Sequence, residues 1–277
     1  METEIIVAYC ICDDVVKSLG IRENIQVTMK MAEILTTAIT AGLFFGGNQE
    51  RARIFLYEHR YIPNMLSKSQ FNRRLHAIPK YVWEIIFAIL ANVFKQKNVT
   101  KEYVVDSFPV TVCKNIRINR NKIYGEEEYR GKCISKHEFF YGIKVHMIST
   151  INGEPIEMVF SPGSQHDSVV FKSFDLDLPK GSFLYGDSGY TDYVYEDLVN
   201  DATGVKFFVT RKSNSKRQHE PWLQYLIQCG RKTIETTFSK ISALLPKTIH
   251  AVTSAGFELK VFCFVLAYSF NCLMVTT

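Results

Sequence analysis

The string YVVDSFPV at residues 103–110 decides how the chain is read, because a short β-rich run, Tyr103 to Val105, leads straight into an acid, Asp106. A carboxylate at the end of a buried strand is costly unless something pairs with it. The pattern recurs in LYGDSGY, residues 184–190, where an apolar run closes at Gly186 and Asp187 follows, with glycines that let backbone or ligand approach closely. Between and beyond these two strings lie further short runs at 139–150, 155–161 and 206–209. Asn152-Gly153 sits between the first two of those as a hairpin signal. Helical segments fall at 167–174, 192–200 and from about Pro221 onward. The order strand, strand, strand, helix, strand, helix, strand, helix predicts an α/β domain with a mixed five-stranded sheet, in which an antiparallel meander feeds parallel strands.

Residues 1–98 read differently. Apolar residues recur at spacings of three and four, and the breaks carry Gly20, Gly46, Gly47, Pro63 and Pro79. The expected division is an all-helical N-terminal domain over 1–98 and the α/β domain over 99–277, ending in a core helix.

Composition bounds function only loosely. A formal charge of +5 suits a partner with phosphates but is common among soluble proteins. The seven cysteines, Cys10, Cys12, Cys113, Cys133, Cys229, Cys263 and Cys272, show no C-x-x-C pair, so neither a disulfide framework nor a zinc site is signalled and a reducing cytoplasmic location is expected. Glu2, Glu4, Asp13 and Asp14 give the start of the chain the wrong charge for an export signal. The apolar run Val261 to Val275 falls short of the roughly 30 Å of bilayer hydrocarbon and is read as a core helix, with no membrane partner. The stretch RKSNSKRQH, residues 211–219, carries no acid and reads as a solvated basic loop.

The strand and helix order resembles the ribonuclease H fold, which implies that the strands carrying Asp106 and Asp187 are neighbours. Two carboxylates so placed repel unless a divalent cation neutralises them, and hard oxygen ligands favour Mg²⁺ or Mn²⁺. That fold draws a third acid from the helix after the last strand, where RKTIETTFSKI, residues 231–241, supplies Glu235. At about 100° per residue, Ile227, Ile234, Phe238, Ile241 and Leu245 form one apolar stripe, with Glu235 on its shoulder. Gly230 interrupts this helix, so a start at Arg231 is the alternative. Taken singly, each acid has a plain reading: Asp106 as an N-cap or turn residue before Pro109, Asp187 as a turn residue, Glu235 as a surface helix charge.

With SKSQFNRRLH, VVDSFPV, YGIKVHMIST, SPGSQHD, LYGDSGY and RKTIETTFSKI in this order, the chain resembles the DDE transposases of bacterial insertion sequences, nearest the insertion sequence 982 family. The resemblance implies Asp106, Asp187 and Glu235 as catalytic and metal-binding residues, holding two Mg²⁺ or Mn²⁺ ions. Related transposases carry Y-x-x-R-x-x-x-E-x(6)-K. Here Arg231 stands correctly before Glu235, but Gln228 holds the tyrosine position and Ser242 the lysine position, with Lys240 two residues early. DNA contact is therefore assigned to Arg231 and, more weakly, Lys240.

Further expected DNA contacts are Lys144 and His146, like-facing on one strand, where an exposed strand face is the alternative. His166 and Asp167 follow SPGSQ, with Asp167 a natural helix cap. In SKSQFNRRLHAI, Ser67 or Ser69 caps a helix bearing Arg73, Arg74 and His76, with Arg51, Arg53, Arg60 and Lys68 nearby. It reads as the recognition helix of a helix-turn-helix unit or as an amphipathic helix with a basic face. The expected function is a transposase that cleaves element ends and joins the 3′-OH to target DNA, as a homodimer on paired terminal inverted repeats. The alternatives are a catalytically inactive DNA-binding descendant and a general nuclease of the same fold.

Overall fold

The computed structural model describes residues 1–24, 26–113, 115–133 and 138–276, with the side chains of 115, 116, 133, 138 and 276 outside that description. Cys133 is one of these. Among the described residues Cys10, Cys12, Cys113, Cys229 and Cys263 are free thiols. By packing, the chain divides into two units, Met1–Leu90 with Lys240–His250 and Ala255–Thr277, and Ala91–Ser239 with Ala251–Ser254.

The second unit is built on β1, Glu102–Cys113, which is far longer than the run 103–105. Its apolar residues alternate inward through Phe108, Val110 and Val112, a period of two that a half-buried strand requires. From Tyr103 to Cys113, with a bulge after Thr111, β1 pairs antiparallel with β3, Glu138–Thr150, but its parallel pairing with β5, Phe183–Gly186, ends at Val105 opposite Gly186. Pro109 thus falls where β1 has no neighbour on one side, a place where a missing N–H is tolerated. Asp106 therefore does not terminate a strand or sit in a turn. It marks the point where β1 changes from a central strand to an edge.

β4, Pro155–Pro162, follows β3 through the Asn152-Gly153 turn, in which Gly153 takes φ 95°. β6, Lys206–Val209, adds parallel to β5. The sheet has six strands rather than five, because Arg130–Cys133, β2, pairs with the first residues of β3. Its order is β2-β3-β1-β5-β6, with β4 also on β3. A four-residue edge strand with glycine and two cations carries no apolar alternation and is invisible to pattern reading.

Nine α-helices run in chain order among the described residues. Those of the first unit are α1 (Glu2–Ser18), α2 (Met31–Phe44), α3 (Gln49–Glu58), α4 (Lys68–Ala77), most of α5 (Lys80–Lys97) and α9 (Ser254–Thr276). Ser67 caps α4 and forms a reciprocal capping box with Gln70. The connection from α3 to α4, residues 59–67, is longer than the three- or four-residue turn of a helix-turn-helix. The C-terminal helix, expected with the α/β domain, packs in the helical unit instead. Gly42 of α2 lies so close to it that a Cβ there would stand 2.8 Å from Ala267, and the Phe264 ring covers Gly47. Within it Ser254–Val275 is long and apolar enough to cross a membrane, with a mean hydropathy of 1.6, yet half of that span is buried against protein. It extends well past the Val261–Val275 run.

The helices of the second unit are α6 (Asp167–Phe171), shorter than the predicted 167–174, α7 (Tyr193–Thr203), and α8 (Pro221–Leu244) as far as Ser239. Gly230 does not break α8. A Cβ there would come within 3.0 Å of Tyr185 and 3.4 Å of Val104, so the glycine lets the helix lie directly on β5 and β1. Ile227, Ile234, Phe238 and Ile241 form its buried face, as the stripe predicts, but Leu245, the fifth stripe residue, lies just past the end of α8 and is only half-buried.

Candidate active site

Asp106, within β1, and Asp187, just after β5, stand at one level on neighbouring strands, because each follows the last residue pair of the β1–β5 ladder, Val105 and Gly186. The Asp106 carboxylate accepts the Ser107 N–H (2.8 Å). Burial pushes its pKa up to about 7 against the pull of that N–H and of Arg231, and the charges of Asp187 and Asp167 push it further the same way. Asp187 caps the short 3-10 turn Ser188–Tyr190 by accepting the Ser188 N–H (2.6 Å), so it is a turn residue as well as an acid of the site.

α8 brings Arg231 and Glu235 to these strands. The Arg231 guanidinium stands 3.4 Å from Asp187 Oδ1 and 3.9 Å from Glu235 Oε1, so it spans two acids without a tight hydrogen bond to either. Its Nε is buried without a hydrogen-bond partner among the described residues. Glu235 is 62% exposed, and Arg231 is the group of α8 that pairs with Asp187. Among the described residues no three His, Cys, Asp or Glu side chains stand close enough together to hold a metal ion as they are.

Beneath the aspartates lies a fully partnered floor. His146 is buried, with Nδ1 3.1 Å from the Tyr190 hydroxyl and Nε2 2.9 Å from Ser161 Oγ. Burial lowers its pKa to about 4, so the ring is neutral at physiological pH. Tyr190 is equally enclosed, and burial, with Asp106, Asp167 and Asp187 nearby, holds its hydroxyl in the protonated form. Lys144 donates to Asp167 (2.9 Å) and to the Gln165 carbonyl (2.9 Å). His166, not Asp167, is the cap residue of α6, and the Asp167 carboxylate goes to Lys144.

A family profile described as Transposase DDE domain matches residues 96–251, more than half of the chain. The chain belongs to the transposase DDE family. No curated protein and no solved structure matches it.

In this DDE chain the basic residues expected to grip DNA separate into two groups. His146 does not reach a phosphate: both ring nitrogens are engaged and the side chain is sealed from solvent. Lys144 is neither on an exposed face nor free, since its charge is already matched by Asp167 and its side chain is only 17% exposed. Arg74 fastens α4 to Glu23 (3.0 Å) and the Met29 carbonyl, and Arg53 is buried against Glu50 and the Leu66 carbonyl. Arg73 and Lys240 are exposed on their helices. The candidate site also includes groups that pattern reading missed, Tyr190 and Ser161, and it brings in Asp167, which the sequence marks only as a helix cap near the site. Tyr190 stood in the string GDSGY and Ser161 with Asp167 in SPGSQHD, but nothing in either string shows that these polar groups turn inward to His146 and Lys144.

Proposed function

We propose that this DDE transposase cleaves the ends of an insertion element and joins the freed 3′-OH to target DNA, using Asp106, Asp187 and Glu235. The observation that carries the reading is the shared level of Asp106 and Asp187 on paired parallel strands, with Glu235 one helical turn beyond Arg231 on the helix laid across those strands. The strand order, a meander of β1, β3 and β4 beside the parallel β5 and β6, supports a ribonuclease-H-like fold for the second unit. The motif order supports membership of the insertion sequence 982 group and a homodimer acting on paired ends.

The donor set fits a hard divalent cation in kind. It is made of carboxylates, two of them raise each other's energy, and a cation from the protein already spans Asp187 and Glu235. Asp106, Asp187 and Glu235 would hold the metal, and two bound Mg²⁺ or Mn²⁺ ions would supply activation of the attacking oxygen and stabilisation of the leaving oxygen. In the first step a water oxygen bonds to phosphorus, the P–O3′ bond breaks, and the 3′ oxygen leaves with a proton as the free hydroxyl. In the second step that hydroxyl attacks a target phosphate and displaces the target's own 3′ oxygen. Arg231, which holds Asp187 and Glu235 only loosely, is free to exchange a carboxylate for a phosphate oxygen. The neutral, doubly bonded His146 contributes no charge to the reaction. It holds Tyr190 and the turn after Asp187 in place.

The test is strand cleavage by the full chain with Mg²⁺ or Mn²⁺ on DNA carrying the element's terminal inverted repeats, beside Asp187→Asn. Metal-dependent cleavage at the repeat ends, abolished in the variant, is expected. Cleavage that the variant retains, or none at all, sinks the proposal. Cleavage indifferent to the terminal sequence indicates a general nuclease.

A further inference from the structure

The cations expected to bind DNA in the second unit are largely consumed by internal contacts, so the partner of the site must be gripped elsewhere. Two basic segments meet that requirement, and sheet topology brings both to the edge that carries the aspartates. β5 and β6 end together, Gly186 opposite Val209, and both run parallel to β1. The loop after β6 therefore leaves the sheet at the level of Asp187 and returns into α8, which bears Arg231 and Glu235. β1 continues past that level from Val105 to Cys113, about 25 Å at strand rise, with β3 beside it. The carboxylates thus lie at the foot of a step. The 3-10 turn Asn115–Arg120 follows at the top of it, across residue 114, which lies outside the described residues.

The loop 211–219 is held rigid by its own arginines. Arg211 forms a buried two-pronged pair with Glu196, and Arg217 pairs with Asp197 at 2.7 and 2.9 Å. The ring of Tyr193 lies between the two guanidinium groups, each 5.0 Å from its centre, and its hydroxyl meets Ser215 Oγ at 2.6 Å. Gln218 donates to the carbonyls of Lys212, Ser213 and Ser215 across the loop. Among the described residues the loop's cations left without an acid partner are Lys212 and Lys216, both exposed. On the step, Arg117, Arg120 and Lys122 are exposed likewise. None of these five forms a salt bridge among the described residues, whereas Lys144, Lys172, Arg211 and Arg217 of the same unit all do.

We infer that Lys212 and Lys216 on one side, and Arg117, Arg120 and Lys122 on the other, are the side chains that hold the phosphates of a DNA duplex seated across the carboxylates. The loop's internal pairing means that little ordering remains to be done on binding, so its two free charges act from a fixed frame. Such a grip carries no sequence information; it sets register and orientation. This inference rests on the transposase reading for its substrate, but its test does not require cleavage.

The experiment measures binding of the full chain to a short random-sequence DNA duplex by fluorescence anisotropy over a range of salt. It compares Arg117→Ala/Arg120→Ala/Lys122→Ala, Lys212→Ala/Lys216→Ala and Lys206→Ala. Lys206 is an exposed lysine at the start of β6, on the opposite edge of the sheet. Each phosphate that a variant no longer neutralises should flatten the dependence of log K on log salt by about 0.9, so the slope should fall by roughly two to three in the triple variant and by about two in the double. Lys206→Ala should leave the slope unchanged. Unaltered slopes in the triple and double variants, or an equal flattening in Lys206→Ala, overturn the inference even if the wild-type chain cleaves DNA. Flattened slopes support it even if cleavage at element ends is absent. Because the substituted side chains form no salt bridge among the described residues, thermal unfolding should be unchanged, which separates a weakened grip on DNA from a damaged fold.

Discussion

The floor and the rim of the carboxylate site are built by opposite rules. On the floor every polar group is spoken for: both nitrogens of His146, the Tyr190 hydroxyl and the Lys144–Asp167 pair, all within 3.1 Å of their partners. On the rim the separations are 3.4 and 3.9 Å, Glu235 is largely in solvent, and among the described residues the Arg231 Nε has no hydrogen-bond partner. The difference separates two tasks. A buried polar network is worth keeping only when fully satisfied, and then it fixes geometry. A half-exposed set of charges can trade partners at small cost. The floor positions; the rim responds.

The largest break in that contrast should come from Asp106, which stands between the two. Asp106→Asn should lower metal-dependent cleavage on the order of a thousandfold. The same change should stabilise the metal-free protein. With its folded pKa at about 7 against an ordinary 3.8, the carboxyl costs nothing below pH 4, and its penalty grows as pH rises toward 7 and is complete above it. Thermal unfolding at pH 8 should therefore favour the variant, by at most about 4 kcal/mol. A variant less stable than wild type at pH 8 would show that the carboxylate is held by more than its one N–H.

His146 tests the floor alone. His146→Ala should cost about 3 kcal/mol in denaturant unfolding, because it orphans Tyr190 and Ser161 and leaves a cavity. The pH dependence has the opposite sign to that of Asp106. The ring's folded pKa of about 4 lies below the ordinary 6.5, so its contribution is complete above pH 6.5 and is lost as pH falls toward 4. Wild type should lose stability over that window, and the variant should lose less.

Gly230→Val sharpens the comparison from the helix side. Any side chain there meets Tyr185 and Val104, so the substitution should cost about 1–3 kcal/mol by overpacking. It should also reduce cleavage by lifting Glu235 from the strands, and a variant with wild-type stability would mean that α8 shifts freely. The smallest effect belongs to Arg231→Gln, expected to change stability by less than about 1 kcal/mol because its pairs are long and partly solvated. A larger loss in calorimetry would move Arg231 from the rim to the floor.

Pattern reading recovered those parts of the fold whose signal is local. Asn152-Gly153 marked the β3–β4 hairpin, Ser67, one of two candidate caps with Ser69, marked the start of α4, and four of the five stripe residues, Ile227, Ile234, Phe238 and Ile241, marked the buried face of α8. What escaped it was set by distant partners. Ser107-Phe108-Pro109 looks like the end of a strand until β3 is seen to continue alongside. Lys144 and His146 share a face as their spacing implies, but only the fold reveals that Asp167 and Tyr190 meet them there. Gly230 reads as a helix breaker because a sequence does not record the sheet that requires it. The assignment of α9 failed for the same reason: an apolar helix announces that it will be buried, not against what.

The two-sided pairing of β1 also sets an order in time. On one side it waits for β3, on the other for β5, which the ribosome makes only after the meander is complete; parallel pairing across such a separation forms slowly. Glu235 and Arg231 come later still. A chain emerging during synthesis therefore carries Asp106 long before it carries the other residues of the site, and the full set of acids comes together only once most of the molecule exists.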